Sequence, residues 1–145
     1  MKAFVKAAVL GLAVLAAPSV ASAEDGDAER GQRVFGKCRA CHVADQEQNR
    51  VGPYLKGIVG RQAGTIAGFN YSAINKAAGE AGLVWDADNL FEYLEDPNKF
   101  LPKFLTEAGK ADQAKGRSKM VFKLANEQER RDVIAYLKTV SPATN

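Results

Sequence analysis

Residues 38–42 read Cys-Arg-Ala-Cys-His, and this pentapeptide holds both cysteines and the one histidine of a 145-residue chain. Several chemistries use thiols at this spacing. A dithiol oxidoreductase sets them at a helix start beside a strand–helix–strand unit, and no such unit is legible here. Structural zinc takes four ligands, whereas Cys38, Cys41 and His42 supply three and the chain has no second pair. A disulfide would close a small, strained ring and leave His42 without a role. Covalent attachment of a haem uses all three residues, because two thiols add to vinyl groups as thioethers and the adjacent imidazole reaches the iron.

The start of the chain agrees with that chemistry. MKAFVKAAVLGLAVLAAPSVASA (residues 1–23) has a charged start at Lys2 and Lys6, an apolar stretch from Ala7 to Ala17, and small residues at Ala21-Ser22-Ala23. That is the layout of a cleaved secretory signal. The apolar stretch is too short to span a bilayer, and no other segment approaches the needed length, so membrane insertion is not expected. Residues 24–145 then form a single domain, placed in the periplasm. Two neighbouring thiols in an oxidising compartment would be at risk unless something occupied them.

Charge narrows the partners. Without Lys2 and Lys6 the 20 basic residues fall to 18 against 17 acidic ones, a net charge of +1. Near-neutrality argues against nucleic acid, which calls for a domain-wide basic surplus. The distribution is uneven: Asp86 to Asp96 carries five acids and no base, whereas Lys99 to Lys123 carries seven bases and two acids. Such a basic segment suits docking on an acidic protein surface.

The periodicity is helical. Asp27 can cap a first helix running to about Lys37, with Val34 and Phe35 on its apolar side and Gly31 one turn before Phe35. A second helix over Asp86 to Asp96 places Leu90, Phe91 and Leu94 together and stops before Pro97. A third starts at Asn126, with Glu129 three residues later as in a capping box, and presents Val133, Ile134 and Leu137. A shorter helix fits Ser72 to Gly79, while the glycine-rich stretch 52–68 reads as loop. The class is all-α with long ordered loops, and loops of that length in a small domain wrap or do something.

If a haem is bound, its two axial positions decide the function. His42 supplies one, and its other ring nitrogen needs an acceptor. Pro53 in VGPYL has a carbonyl and no N–H, which suits that role, although a plain turn proline would look the same. Beyond residue 23 the one methionine is Met120, in RSKMVFKL. A lone methionine ordinarily fills core gaps. Given haem, no competing soft ligand exists, and thioether ligation would close the sixth position and raise the reduction potential. The rival reading is a haem enzyme or ligand-binding sensor with an open or labile sixth position, but no distal histidine–arginine pair can be assigned.

These segments resemble, along the whole of residues 24–145, the class I c-type cytochromes of the cytochrome c2 and mitochondrial cytochrome c branch. GDAERGQRVFGKCRACH is similar to that family's first helix and attachment site, and VGPYLKGIVGRQAG to its proline loop. AGFNYSAINK, GLVWDADNLFEYLEDPNKF, SKMVF and DVIAYLK are similar to its later landmarks. The resemblance implies a cytochrome c fold of three to five helices wrapped around one haem c. Cys38 and Cys41 would be its thioether sites and His42 and Met120 the axial ligands of its iron. Pro53 would accept from His42; Arg61, Tyr71, Asn75 and Trp85 would surround the inner propionate and an internal water. Tyr93 would line the pocket near the Met120 sulfur, Phe122 would flank the ring edge, and Gly31 and Phe35 would pack against Val133 and Tyr136. The implied activity is not enzymatic. It is one-electron carriage by a monomer between a cytochrome bc complex and a terminal oxidase or photosynthetic reaction centre, docked through Lys and Arg around the haem edge.

One departure is the longer loop over 97–119, where FLTEAGKADQAKGR precedes SKM. It puts in question the rigidity of the segment bearing Met120, and Lys115 and Lys119 become candidates to replace the thioether at high pH.

Overall fold

Polar caps start every helix in the computed structural model, which describes residues 26–141. They are α1 (Ala28–Val34) at Asp27, α2 (Ala73–Glu80) at Ser72, α3 (Ala87–Glu95) at Asp86, α4 (Pro97–Glu107) at Asp96 and α5 (Glu127–Thr139) at Asn126. In each, the cap side chain accepts a first-turn backbone N–H that the helix itself cannot satisfy. The all-α expectation holds, since among the described residues the one extended pairing is an isolated bridge between Gln62 and Val84. The expected export signal over 1–23 lies outside the described residues.

Helix α1 runs on through a 3-10 turn at Phe35–Lys37, which matches the first helix expected from Asp27. It crosses α5 with the backbones in close approach. A Cβ at Gly31 would lie 2.5 Å from the Asp132 carbonyl carbon and 2.9 Å from the Tyr136 Cβ, so glycine alone fits there. One turn on, the Phe35 and Tyr136 rings sit 5.4 Å apart. The capping box at Asn126 is only half formed. Asn126 accepts from the Glu129 N–H, but the Glu129 carboxylate turns away and takes the Lys37 ammonium at 2.6 Å, a second tie between α5 and the first helix.

Residues 97–119 are not simply a loop. Pro97 reads as the stop of the preceding helix, yet it occupies the first position of the next, where its missing N–H costs nothing, and α4 carries Pro102 in its interior. Phe100, Leu101 and Leu105 of α4 are buried, with Leu101 and Leu105 one turn apart and fully enclosed. This face joins Ile74 of α2 and Leu94 of α3 in a core shared with Leu83 and Val133. After α4 the chain passes through a 3-10 turn at Ala111–Gln113 and an exposed stretch to Ser118.

The loop from Val43 to Tyr71 is ordered by backbone bonds to distant strands of chain, which satisfy groups that no helix serves. Leu55 N–H donates to Val43, Gly57 to Val140, Ala63 to Leu83 and Trp85 to Arg61, each at 2.7–2.8 Å. That loop, α3 and the segment around Met120 wall a common interior.

Candidate functional site

A cavity of about 490 Å³ lies between these walls. Every site residue anticipated from the sequence lines it: Cys38, Cys41 and His42 from the first turn, Pro53 and Arg61 from the loop, Tyr71, Asn75 and Trp85 beyond it, Tyr93 from α3, and Met120 and Phe122. Residues 82 positions apart thus meet in one space. The rest of the lining is largely apolar, including Phe35, Leu55, Ile58, Leu90, Leu94, Val133 and Leu137.

The pentapeptide is held as a turn in which Cys41 and His42 donate their backbone N–H groups to the Cys38 carbonyl at 3.0 and 2.9 Å. The two cysteines form no disulfide. Burial pushes the Cys38 thiol up to about 11 against the opposing charge of Lys37. As a free thiol Cys38 would be a poor nucleophile without an activating partner.

His42 donates through Nδ1 to the Pro53 carbonyl at 2.7 Å, which leaves the Nε2 lone pair available to ligate a metal. Burial lowers the imidazole's affinity for a second proton, and the Pro53 bond opposes that only in part. The neutral, ligating form is therefore favoured. Gly52 is part of this arrangement and was not singled out from the sequence. Its N–H donates to the Cys41 carbonyl at 2.8 Å, and any Cβ there would strike the His42 ring.

Met120 sits on an arch whose two feet are tied down. Upstream, Ser118 is 5% exposed, and its N–H donates to Asn98 Oδ1 at 2.9 Å. The Ser118 Oγ accepts from the Met120 N–H at 3.1 Å and lies 3.3 Å from the Tyr93 hydroxyl. Lys119 Nζ donates to the Asn70 carbonyl at 2.5 Å. Downstream, Lys123 Nζ pairs with Asp96 Oδ2 at 2.6 Å, and Leu124 N–H donates to the Leu94 carbonyl at 2.8 Å. The buried Arg130 side chain donates through Nη1 to the carbonyls of Leu124 and Ala125 at 2.8 and 2.9 Å. The exposed part of the longer connection lies before Ser118, outside these ties. Neither Ser118 nor Asn98 stood out in the sequence; both act through bonds between segments that only the fold brings together.

One end of the cavity is polar. Arg61, half-buried, donates through Nη1 to the Tyr54 carbonyl at 3.0 Å and through Nη2 to Lys56, with its guanidinium 5.0 Å from the Tyr54 ring centre. Desolvation lowers its pKa and raises that of Tyr71. Trp85 packs on Tyr93, ring centres 4.7 Å apart. Asn75 is 8% exposed, and its Oδ1 has no partner among the described residues. A buried orphan acceptor is costly, and a group bound in the cavity would relieve it.

The donor set fits a haem. Two unpaired thiols, an imidazole with a free and oriented nitrogen, a thioether, an apolar lining and a cationic end offering Arg, Trp and Tyr donors match a macrocycle with metal, apolar ring and carboxylates. At the mouth, Val51, Val121 and Phe122 are 78%, 69% and 38% exposed, beside Lys37 and Lys119.

Comparison with known proteins agrees. The cytochrome c family model matches residues 28–141. Cytochrome c2 iso-2 of Rhodospirillum centenum is 63% identical over 120 residues, covering 82% of this chain and 99% of that protein. Cytochrome c2 of Rhodopseudomonas palustris is 61% identical over 122 residues, 84% of this chain and 86% of that protein. A solved structure of cytochrome c2 from Rhodospirillum centenum superposes with a TM-score of 0.78 at 62% identity, covering 81% of this chain and all of that one.

Proposed function

The chain belongs to the cytochrome c family, and from that premise we propose that it is a periplasmic one-electron shuttle with a His42/Met120-ligated haem. It is an electron-transfer protein carrying one covalent haem c, and not an enzyme. When bound, the haem supplies an iron that alternates between ferric and ferrous states without making or breaking a substrate bond.

The chain's own residues do the rest. Cys38 and Cys41 anchor the ring, and His42 ligates through Nε2 while Pro53 fixes its tautomer and increases its basicity. Met120 closes the sixth position with a soft donor that favours the reduced state. Arg61, Tyr71, Asn75 and Trp85 receive the inner propionate, replacing the water a buried carboxylate would lose. Tyr93 holds the arch through Ser118, and Phe122 covers the exposed edge. Residues 1–23 export the chain and are removed, leaving 24–145 as a monomeric domain. Among the described residues no helix is long and apolar enough to cross a membrane.

For partners, the apolar mouth beside Lys37 and Lys119 suits brief docking on acidic surfaces of a cytochrome bc complex and of a terminal oxidase or photosynthetic reaction centre. The observation that carries the reading is the convergence of Cys38, Cys41, His42 and Met120 on one cavity. The oxidised visible spectrum tests it. A weak far-red iron–thioether band is expected and should vanish in Met120→Ala. Prompt carbon monoxide binding by the reduced wild-type protein at neutral pH would favour an open sixth position instead.

A further inference from the structure

The corner between α3 and α4 grips the Met120 arch on both sides, and the two grips are unequal. Downstream, Lys123 on Asp96, Leu124 on Leu94 and the Arg130 side chain on two carbonyls share the load. Upstream, the foot is Ser118, whose N–H makes the one backbone tie to the body, to Asn98 Oδ1 at 2.9 Å, and whose Oγ has a longer contact, 3.3 Å, with the Tyr93 hydroxyl. Ser118 then passes that restraint to the ligand residue, since its Oγ accepts from the Met120 N–H. The Lys119 bond to Asn70 lies at the exposed surface, where water competes for the ammonium. The chain before Ser118 offers little restraint: Ala114 packs against the core, but the chain is exposed from Thr106 to Gln113 and again from Lys115 to Arg117, and Gly109 and Gly116 adopt left-handed φ of 72° and 86° with open space around them.

We propose that Asn98 is a positioning residue that sets how readily the Met120 sulfur leaves the iron, and hence how accessible the sixth position is to outside ligands. The inference rests on the Met120 ligation proposed above. Without the Asn98 acceptor, Ser118 N–H loses its partner and the upstream foot keeps only the longer Tyr93 contact to its Oγ, so it can lift more readily while α4 and the downstream foot stay in place. The sulfur then departs more often, with little change in the fold as a whole. Helix α4 thus takes over the restraint that the exposed connection before Ser118 does not supply.

The test uses the ferric holoprotein with imidazole as the probe, following the far-red band by stopped flow in wild type, Asn98→Ala and Asn98→Asp, beside guanidinium unfolding of each. Alanine is a good helix former at this half-buried first-turn site, so the variant should fold. Loss of one hydrogen bond predicts imidazole uptake about five-fold faster in Asn98→Ala, and a rate within about two-fold of wild type in Asn98→Asp, which keeps the acceptor. An unchanged rate in Asn98→Ala overturns the proposal. So does equal acceleration in both variants in step with loss of global stability, which would mark general loosening. A wild-type protein with no far-red band overturns the Met120 ligation itself, a result distinct from either.

Discussion

Gly52 and His42 are in contact so close that a side chain at position 52 excludes the imidazole from its present place: a Cβ there would lie 2.7 Å from Nδ1 and 2.9 Å from Nε2. Neither side can yield cheaply. The ring is held by its 2.7 Å bond to Pro53, and the Gly52 N–H is bonded to Cys41. Gly52→Ala should therefore displace the ring and weaken the His42–Pro53 bond. The expected cost is about 2–3 kcal/mol of stability, the range for overpacking a tight site. Guanidinium unfolding of the holoprotein measures this, and voltammetry should show a shifted potential because the ligand's basicity changes. A wild-type potential in Gly52→Ala would contradict the account.

Acid should weaken the crossing of α1 and α5. Asp132, 3% exposed, accepts from the Asp27 N–H at 2.7 Å, from Arg30 Nε and Nη2 at 2.9 and 3.1 Å, and from Gln128 at 2.9 Å. The Arg30 guanidinium, with the other donors, holds this carboxyl at about 2, below the ordinary 3.8. The folded chain therefore binds this proton less readily than the unfolded one. The stability involved is fully present above about pH 4 and is lost as pH falls toward 2. Asp132→Asn should lower stability at pH 7 by about 1–2 kcal/mol, discounted because Arg30 is half-exposed, and should flatten the decline between pH 4 and 2. Unfolding curves at a series of pH values read both effects.

The glycine at the helix crossing makes a sharper demand. With the Asp132 carbonyl carbon 2.5 Å and the Tyr136 Cβ 2.9 Å from any Cβ at Gly31, even alanine forces the helices apart and disturbs the Phe35–Tyr136 contact. Gly31→Ala should cost about 3 kcal/mol, at the upper end for overpacking. The far-red band should persist in the fraction that folds, because the crossing touches neither axial ligand. Loss of the band at full stability would place the crossing's role elsewhere.

What the sequence made legible, and what it did not, divides by the range of the interaction. The Cys38–His42 spacing, the caps at Asp27 and Asn126 and the Gly31–Phe35 interval are local patterns, each readable from a few residues, and the structure contains them all. Helix α4 was missed because Pro97 was weighed as the stop of the helix before it and 97–119 as a longer loop, although an Asp-Pro pair followed by Phe100, Leu101, Phe104 and Leu105 at helical spacing is itself a start signal. Glu129 shows the opposite error: its local pattern suggested a closed capping box, and a lysine 92 residues away took the carboxylate. Gly52 against His42 and Asn98 beneath Ser118 leave no trace in spacing. They exist only because distant segments share a wall of one cavity.

The exposed mouth yields the last expectation. Val51, Val121 and Phe122 are three of the four large apolar side chains exposed among the described residues, and all three border the cavity beside Lys37 and Lys119. Lys37 is paired with Glu129, whereas the Lys119 ammonium meets only the neutral Asn70 carbonyl, and a small apolar spot beside that charge favours fast encounter and fast release with an acidic partner, since charge steers approach and the contact stays small. The rate of electron exchange with the proposed partner, a cytochrome bc complex, should therefore fall steeply as ionic strength rises, because a Debye length of about 10 Å at 0.1 M shortens further with salt. Val121→Glu puts a like charge against the acidic surface, so its deficit should be several-fold at low salt and shrink at high salt, where screening hides the added charge. Stopped-flow kinetics of both proteins across a salt series supply the comparison. A wild-type rate indifferent to salt would remove charge steering, and a deficit in Val121→Glu that persists undiminished at high salt would instead make the mouth a packing contact.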